Sequence, residues 1–190
     1  MPLKKISQSS SSSLRFPFAA IPKSGAHHQV ANGIHWCRHD LPFALDHINT
    51  WLLQDHDKWV IVDTGVSDDR SQDGWRNILD GELSGSEISK IIVTHYHPDH
   101  IGNADWLSKR SLASVWMSSS EFLTAHAVFD KTATHSAQAT GALFRQHGLP
   151  DDEVDSVSAK GDHYKALVRS LPTSFLRITN GETLDVGESS

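Results

Sequence analysis

The segment that most constrains this chain is Ile91-Ile92-Val93-Thr94-His95-Tyr96-His97-Pro98-Asp99-His100-Ile101-Gly102. A short strand of buried type, Ile88 to Val93, leads straight into a cluster of imidazoles and a carboxylate, so a sheet delivers those groups at its end. Side chains two apart on extended backbone lie on one side, which sets His95 beside His97. Pro98 fixes the turn and blocks an early helix. Asp99 and His100 are adjacent and expected to diverge, and Gly102 permits close approach of the next helix. Imidazole nitrogens with a carboxylate oxygen form a donor set for zinc, and also for iron or manganese. A polar loop with coincidental histidines has no reason to keep this spacing behind a strand.

The rest of the chain reads as a frame for that loop. Gly33 to Arg38 and Ile48 to Leu53 have strand patterns, with Asp55-His56-Asp57-Lys58 as the following turn. Trp59-Val60-Ile61-Val62 is a buried strand ending at the polar turn Asp63-Thr64-Gly65. Trp75, Ile78, Leu79 and Leu83 have helical spacing, and Asn103 to Leu107 looks helical again. This alternation predicts an α/β (α+β) fold, helices layered against a sheet. Residues 118–170 read as a helical insert, broken at Gly148-Leu149-Pro150, that serves as a lid, a substrate wall or plain packing. Phe175 to Ile178 and Thr183 to Val186 flank Asn180-Gly181, a hairpin signal. Residues 1–25 read as a disordered tail around Ser9–Ser13, with the folded part beginning near Val30 in a domain spanning 26–190.

Composition excludes several classes. The 190 residues suffice for one domain with a real core. The formal net charge of -6 offers no basic surface for nucleic acid. No apolar run approaches the roughly 20 residues needed to cross a bilayer. Cys37 is the single cysteine, so no internal disulfide is expected and a cytoplasmic home is the simplest. The alternative is organelle targeting, because the N-terminus is basic, Ser-rich and free of acids before Asp40. Cys37 itself reads as packing in a strand rather than a nucleophile. The six tryptophans are scattered, as core and rim residues are. His27-His28, at the edge of the tail, supports adventitious metal binding alone, and His47 and His56 have no partner spacing.

Thr94 to His100 resembles the His-x-His-x-Asp-His signature of the metallo-β-lactamase superfamily, and Val62-Asp63-Thr64-Gly65 is similar to its upstream Asp-Thr-Gly turn. Pro42-Phe43 with Ile48 to Leu53 looks like the glyoxalase II-like and broader hydrolase branch. The resemblance implies an αββα sandwich, of which this chain holds the N-terminal part. It places His95 and His97 on a first metal and Asp99 and His100 on a second, with Zn2+ expected, two ions in the full-length enzyme, and iron or manganese as alternatives. A hydroxide shared by two metals would then attack an ester, thioester or lactone of a small-molecule substrate. Asp99 would accept or relay a proton as the catalytic carboxylate. Asp63 would hold the loop from behind through hydrogen bonds, or else be an ordinary turn aspartate. In family order a Gly-His segment, a bridging aspartate and a last histidine follow the Asn180-Gly181 turn. His126, His135, His147 and His163 match none of them; His126 and His135 are expected at surface or packing positions, and His163 with Tyr164 on a substrate wall or an exposed helix. The expectation is therefore a fragment, or one part of a larger assembly, with an apolar sheet face uncovered and hydrolysis impaired or absent. Two alternatives stand beside it: a mononuclear iron thiol or persulfide dioxygenase of the same fold, and a non-catalytic fragment or binding module. The substrate, its binding residues and the oligomeric state are not set by the sequence.

Overall fold

The computed structural model describes residues 17–18, 20–160 and 164–187. The serine run and His163 lie outside the described residues. Four strands open the fold as an antiparallel meander: β1 (His27–Ala31), β2 (Ile34–Asp40), β3 (His47–Asp55) and β4 (Lys58–Val62). Two-residue turns join β1 to β2 and β3 to β4, and Gly33 and His56 take the positive φ (69° and 58°) that such tight hairpins require. β1 begins ahead of the expected start near Val30. The chain before it is also packed: a Cβ on Gly25 would lie 2.9 Å from the Gly74 Cα. Asn32-Gly33 is the turn signal for this extra strand.

From β4 onward the sheet is parallel. Helix α1 (Asp69–Asp80) connects β4 to β5 (Glu87–Ile92), and α2 (Pro98–Ile101) with α3 (Ala104–Ser111) connects β5 to β6 (Ser114–Met117). Between β6 and β7 (Leu176–Arg177) the chain is helical: α4 (Ser119–Phe129), a 3-10 turn (Ala133–His135), α5 (Ala137–Gln146), α6 (Asp151–Lys160) and α7 (Tyr164–Leu167). Among the described residues the strands form one seven-stranded sheet in sequence order.

Two local expectations are corrected and one holds. Helix α1 starts at Asp69, well before Trp75, because the Asp68 carboxylate accepts from the Ser71 amide at 2.7 Å and caps it. Its first turns bury the polar Ser71 and Gln72, so apolar spacing could not reveal them. Pro98 does block an earlier helix: His97 before it is extended (φ -58°, ψ 146°), and α2 begins at the proline, where its missing N–H costs nothing. The Asn180-Gly181 turn forms, with Glu182 N–H donating to Thr179 O at 3.1 Å, but Thr183–Val186 does not return beside β7. β7 has two exposed residues and no buried face to hold a returning strand. The chain instead reaches the end of β3, where Gly187 N–H donates to Asp55.

The core lies between the sheet and its helices. Cys37, Leu52, Ile61, Ile91, Val115 and Met117 from the strands meet Trp75, Ile78, Ala104 and Leu107 from α1 and α3, all at or near full burial. Burial pushes the Cys37 thiol up to about 12, so it is a neutral packing group. On the other face of the meander, Ile34 is 39% and Trp51 36% exposed.

Candidate metal centre

Three neighbouring parallel strands end together at this site. β4 runs into Asp63-Thr64-Gly65, β5 into Thr94–His97 and β6 into Ser118–Glu121. The carboxyl ends of strands are where open α/β sheets present their ligands.

The turn after β4 is built to aim one carboxylate. Asp63 stands at φ 61°, a left-handed conformation that aspartate tolerates better than most residues. Gly65 follows at φ 74°, where a Cβ would come within 2.7 Å of Ser71 Oγ. So bent, the Asp63 carboxylate faces the histidine loop and lies 8% exposed. It accepts from Thr94 N–H at 2.9 Å, and the Thr94 hydroxyl lies 3.0 and 2.9 Å from its two oxygens. Its Oδ2 is 2.8 Å from His100 Nδ1. These contacts tie the turn after β4 to the histidine loop.

The loop side chains gather tightly. His95 Nε2 lies 3.0 Å from His97 Nδ1, the His95 and His100 rings are 3.9 Å apart, and Asp99 Oδ2 lies 3.4 Å from His100 Nε2. Asp99 and His100 therefore converge rather than diverge, because the helix begins at Pro98 and curls the two back together. Burial pulls the His100 imidazolium down, but the hydrogen bonds and charges of Asp63 and Asp99 outweigh it and hold the pKa at about 9. Burial raises the Asp99 carboxyl, yet the His100 hydrogen bond and charge overcome this and leave it below the ordinary value. His95 is lowered by burial and then by the neighbouring His100 and His97 charges, which favours the neutral imidazole with a free lone pair.

Among the described residues, no three or more His, Cys, Asp or Glu side chains already surround a common cation position. The donors here face one another. Their chemistry nonetheless fits a divalent transition cation: three imidazoles, one ionised carboxylate, and an imidazole pair whose facing nitrogens can share only one proton. Behind His100, the Asp63 carboxylate takes Nδ1–H, the arrangement by which metal-site histidines are oriented.

Two supports for the loop escaped the sequence reading. Asn103, fully buried, donates from Nδ2 to Thr64 O at 3.0 Å and Val66 O at 2.6 Å, with Ser71 Oγ also within 3.0 Å. Thr64 in turn donates from N–H and hydroxyl to His100 O, at 2.9 and 2.7 Å. The turn after β4 and the loop after β5 are thereby laced together. The second support is a clamp on Tyr96, between two of the histidines. Its N–H donates to Glu121 Oε2 at 3.0 Å, and its carbonyl accepts from the Tyr164 hydroxyl at 2.6 Å. Burial pushes the Tyr164 phenol up, so it stays a donor. Ser118-x-x-Glu121 carries the spacing of a capping box. Ser118 does cap α4, at 3.2 Å from Glu121 N, while the glutamate carboxylate goes to the loop.

Other histidines lie elsewhere. The His126 ring bonds Pro172 O at 3.0 Å, His135 bonds locally to Thr134, and His147 closes α5. His47 pairs with Asp46, and His56 serves the β3–β4 turn. A hollow of about 420 Å³ lined by Asn32, Ile34, Leu53, His56 and Val186 opens at the far end of β4 from the loop.

With the sheet order and the Asp63–histidine geometry in place, comparison with known proteins fixes the family. The metallo-beta-lactamase superfamily profile matches residues 44–175, more than half of the sequence, and the chain belongs to that superfamily. Its members are generally hydrolases that bind metal ions. A beta-lactamase domain protein from Burkholderia ambifaria is similar at 33% identity and a TM-score of 0.71, over 91% of this chain and 48% of that one. A metallo-beta-lactamase family protein from Thermus thermophilus is similar at 26% identity and a TM-score of 0.64, over 84% of this chain and 50% of that one. A Caenorhabditis elegans protein described as a beta-lactamase-like protein 2 homolog is 35% identical over 65 residues, 34% of this chain and 21% of that protein. The chain thus spans about half the length of these structural relatives and less of the nematode protein. No helix among the described residues is long and apolar enough to cross a membrane.

Proposed function

We propose that this chain carries the metal-binding loop of a zinc-dependent hydrolase acting on an ester, thioester or lactone of a small-molecule substrate. The carrying observation is the meeting of His95, His97, Asp99 and His100 at the end of β5, with Asp63 bonded to both Thr94 and His100. Those four side chains would hold the metal, His95 and His97 one ion and Asp99 and His100 another. A divalent cation in such a site supplies Lewis acidity toward an acyl oxygen and makes water a better nucleophile near neutral pH.

The chain's own residues prepare that chemistry. Asp63 accepts from His100 Nδ1 and so leaves Nε2 as the ligating nitrogen. The clamp on Tyr96 fixes the backbone between His95 and His97, holding their rings on one side. Asp99, ionised at neutral pH and 16% exposed, would be the carboxylate that accepts a proton from water and returns it to the leaving group. The loop is one half of the ligand set in the family pattern, and the chain spans about half the length of its structural relatives.

The test is metal analysis with turnover. Zinc bound through the loop, lost in His95→Ala and His97→Ala, together with acyl-ester or lactone hydrolysis when the downstream half of a relative is supplied, is the expected result. Iron in the purified protein with oxygen consumption on a thiol would replace the hydrolase by an oxygenase. No metal binding through the loop would end both.

A further inference from the structure

A second group of metal-capable side chains lies away from the loop, at the sheet edge formed by β1 and β2. The sequence joins His27 to His28, but a strand sends neighbours to opposite faces. The register pairs His27 with Cys37 and Gln29 with His35, so His27 and His35 stand diagonally on the same face. Their Nδ1 atoms face each other at 2.9 Å, with ring centroids 4.9 Å apart. The His35 and Trp59 rings meet edge to face, 5.0 Å between centroids, which limits how the imidazole turns. His27 is only 8% exposed. Its Nε2 lies 3.0 Å from Glu82 Oε2, just beyond α1, yet without the alignment of a hydrogen bond it has no such partner.

We propose that His27 and His35 form a two-imidazole chelate for a nitrogen-preferring divalent cation, with zinc as the probe, and that Glu82 is its outer carboxylate. Only one proton fits between two facing imidazole nitrogens, and a cation can take its place. Zinc–nitrogen bonds of about 2.0–2.1 Å at a tetrahedral angle set two nitrogens about 3.3 Å apart, so the pair needs to open by about 0.4 Å. Glu82, with a side chain 79% exposed, is free to swing into line with His27 Nε2–H. That completes the carboxylate–histidine–metal relay by which such sites are oriented. In strand order β3 and β4 separate this pair from the strand that carries the His95 loop, so the chelate acts on the edge strand, pinning β1 to β2. This inference does not depend on the hydrolase reading.

The experiment titrates zinc into the full chain by calorimetry, in the native sequence and in a His95→Ala/His97→Ala background that disables the loop. The background protein is expected to keep one zinc equivalent. Adding His35→Gln removes it, and Glu82→Gln weakens it by about tenfold, the ordinary effect of losing an outer partner. Should the loop substitutions impair folding, the native chain and His35→Gln alone are compared, and the expected difference is one equivalent. Copper(II) added to the loop-disabled protein should show superhyperfine coupling to two nitrogens, falling to one in His27→Gln. In the loop-disabled protein, zinc binding that survives both His27→Gln and His35→Gln, or no binding with native circular dichroism intact, overturns the proposal.

Discussion

Replacing Gly102 by alanine tests whether the two loops of the candidate metal centre are locked by backbone contact. A Cβ at Gly102 would stand 2.5 Å from Gly65 O, 2.5 Å from Pro98 O and 2.8 Å from Ser67 N. Ordinary contact starts near 3.4 Å, so the turn carrying Asp63 and the helix carrying His100 must separate by about 0.9 Å. All three obstacles are backbone atoms, and no rotamer change relieves them. Overpacking of this kind costs up to about 3 kcal/mol. Gly102 has helical backbone, so alanine regains about 1 kcal/mol of propensity. The net loss is about 2 kcal/mol, which at a urea dependence of about 2 kcal/mol per molar lowers the unfolding midpoint by about 1 M. The same shift stretches the 2.8 Å contact between Asp63 and His100, so zinc affinity should fall with stability. Urea unfolding by circular dichroism and zinc calorimetry read the two effects. A Gly102→Ala protein with unchanged midpoint and zinc affinity refutes the argument that this close approach joins the loops.

Two further substitutions probe groups around the site. His39 is fully buried against Trp75, neither ring nitrogen has a hydrogen-bond partner, and burial holds its pKa at about 4. The unfolded chain protonates this residue near the ordinary value of 6.5 while the folded protein does not, so stability falls as pH drops from about 6.5 toward 4, with a slope of at most about 1.4 kcal/mol per pH unit. His39→Leu should flatten that part of the urea-midpoint profile, and parallel profiles for the two proteins would show that His39 is not the cause. Tyr164→Phe removes the donor to Tyr96 O and should cost about 1 kcal/mol while loosening the loop. Faster amide exchange at residues 95–97 with weaker zinc binding is expected; unchanged exchange there would disconnect α7 from the metal loop.

The sequence by itself determined the elements whose code is local. A β-branched run at Trp59–Val62, a strand at Ile88–Val93 and the clustering of His95, His97, Asp99 and His100 behind it are read directly along the chain, since period and spacing suffice for groups within a few residues. Apart from Asp63, which the family resemblance already set behind the loop, tertiary structure alone decided which distant residues reach it. Asp63 lies far upstream, and its carboxylate meets Thr94 and His100 because parallel pairing sets β4 beside β5 and a left-handed backbone turns it inward. Glu121 looks from its spacing like a helix cap, and Tyr164 like one more aromatic; only the return of the helical segment from β6 places both on Tyr96. His27 and His35, eight residues apart, are brought together by strand register across the β1–β2 hairpin. Thr183–Val186 shows the same limit in reverse: its local turn is real, but a strand forms only where a neighbouring edge accepts its hydrogen bonds, and that depends on the whole sheet.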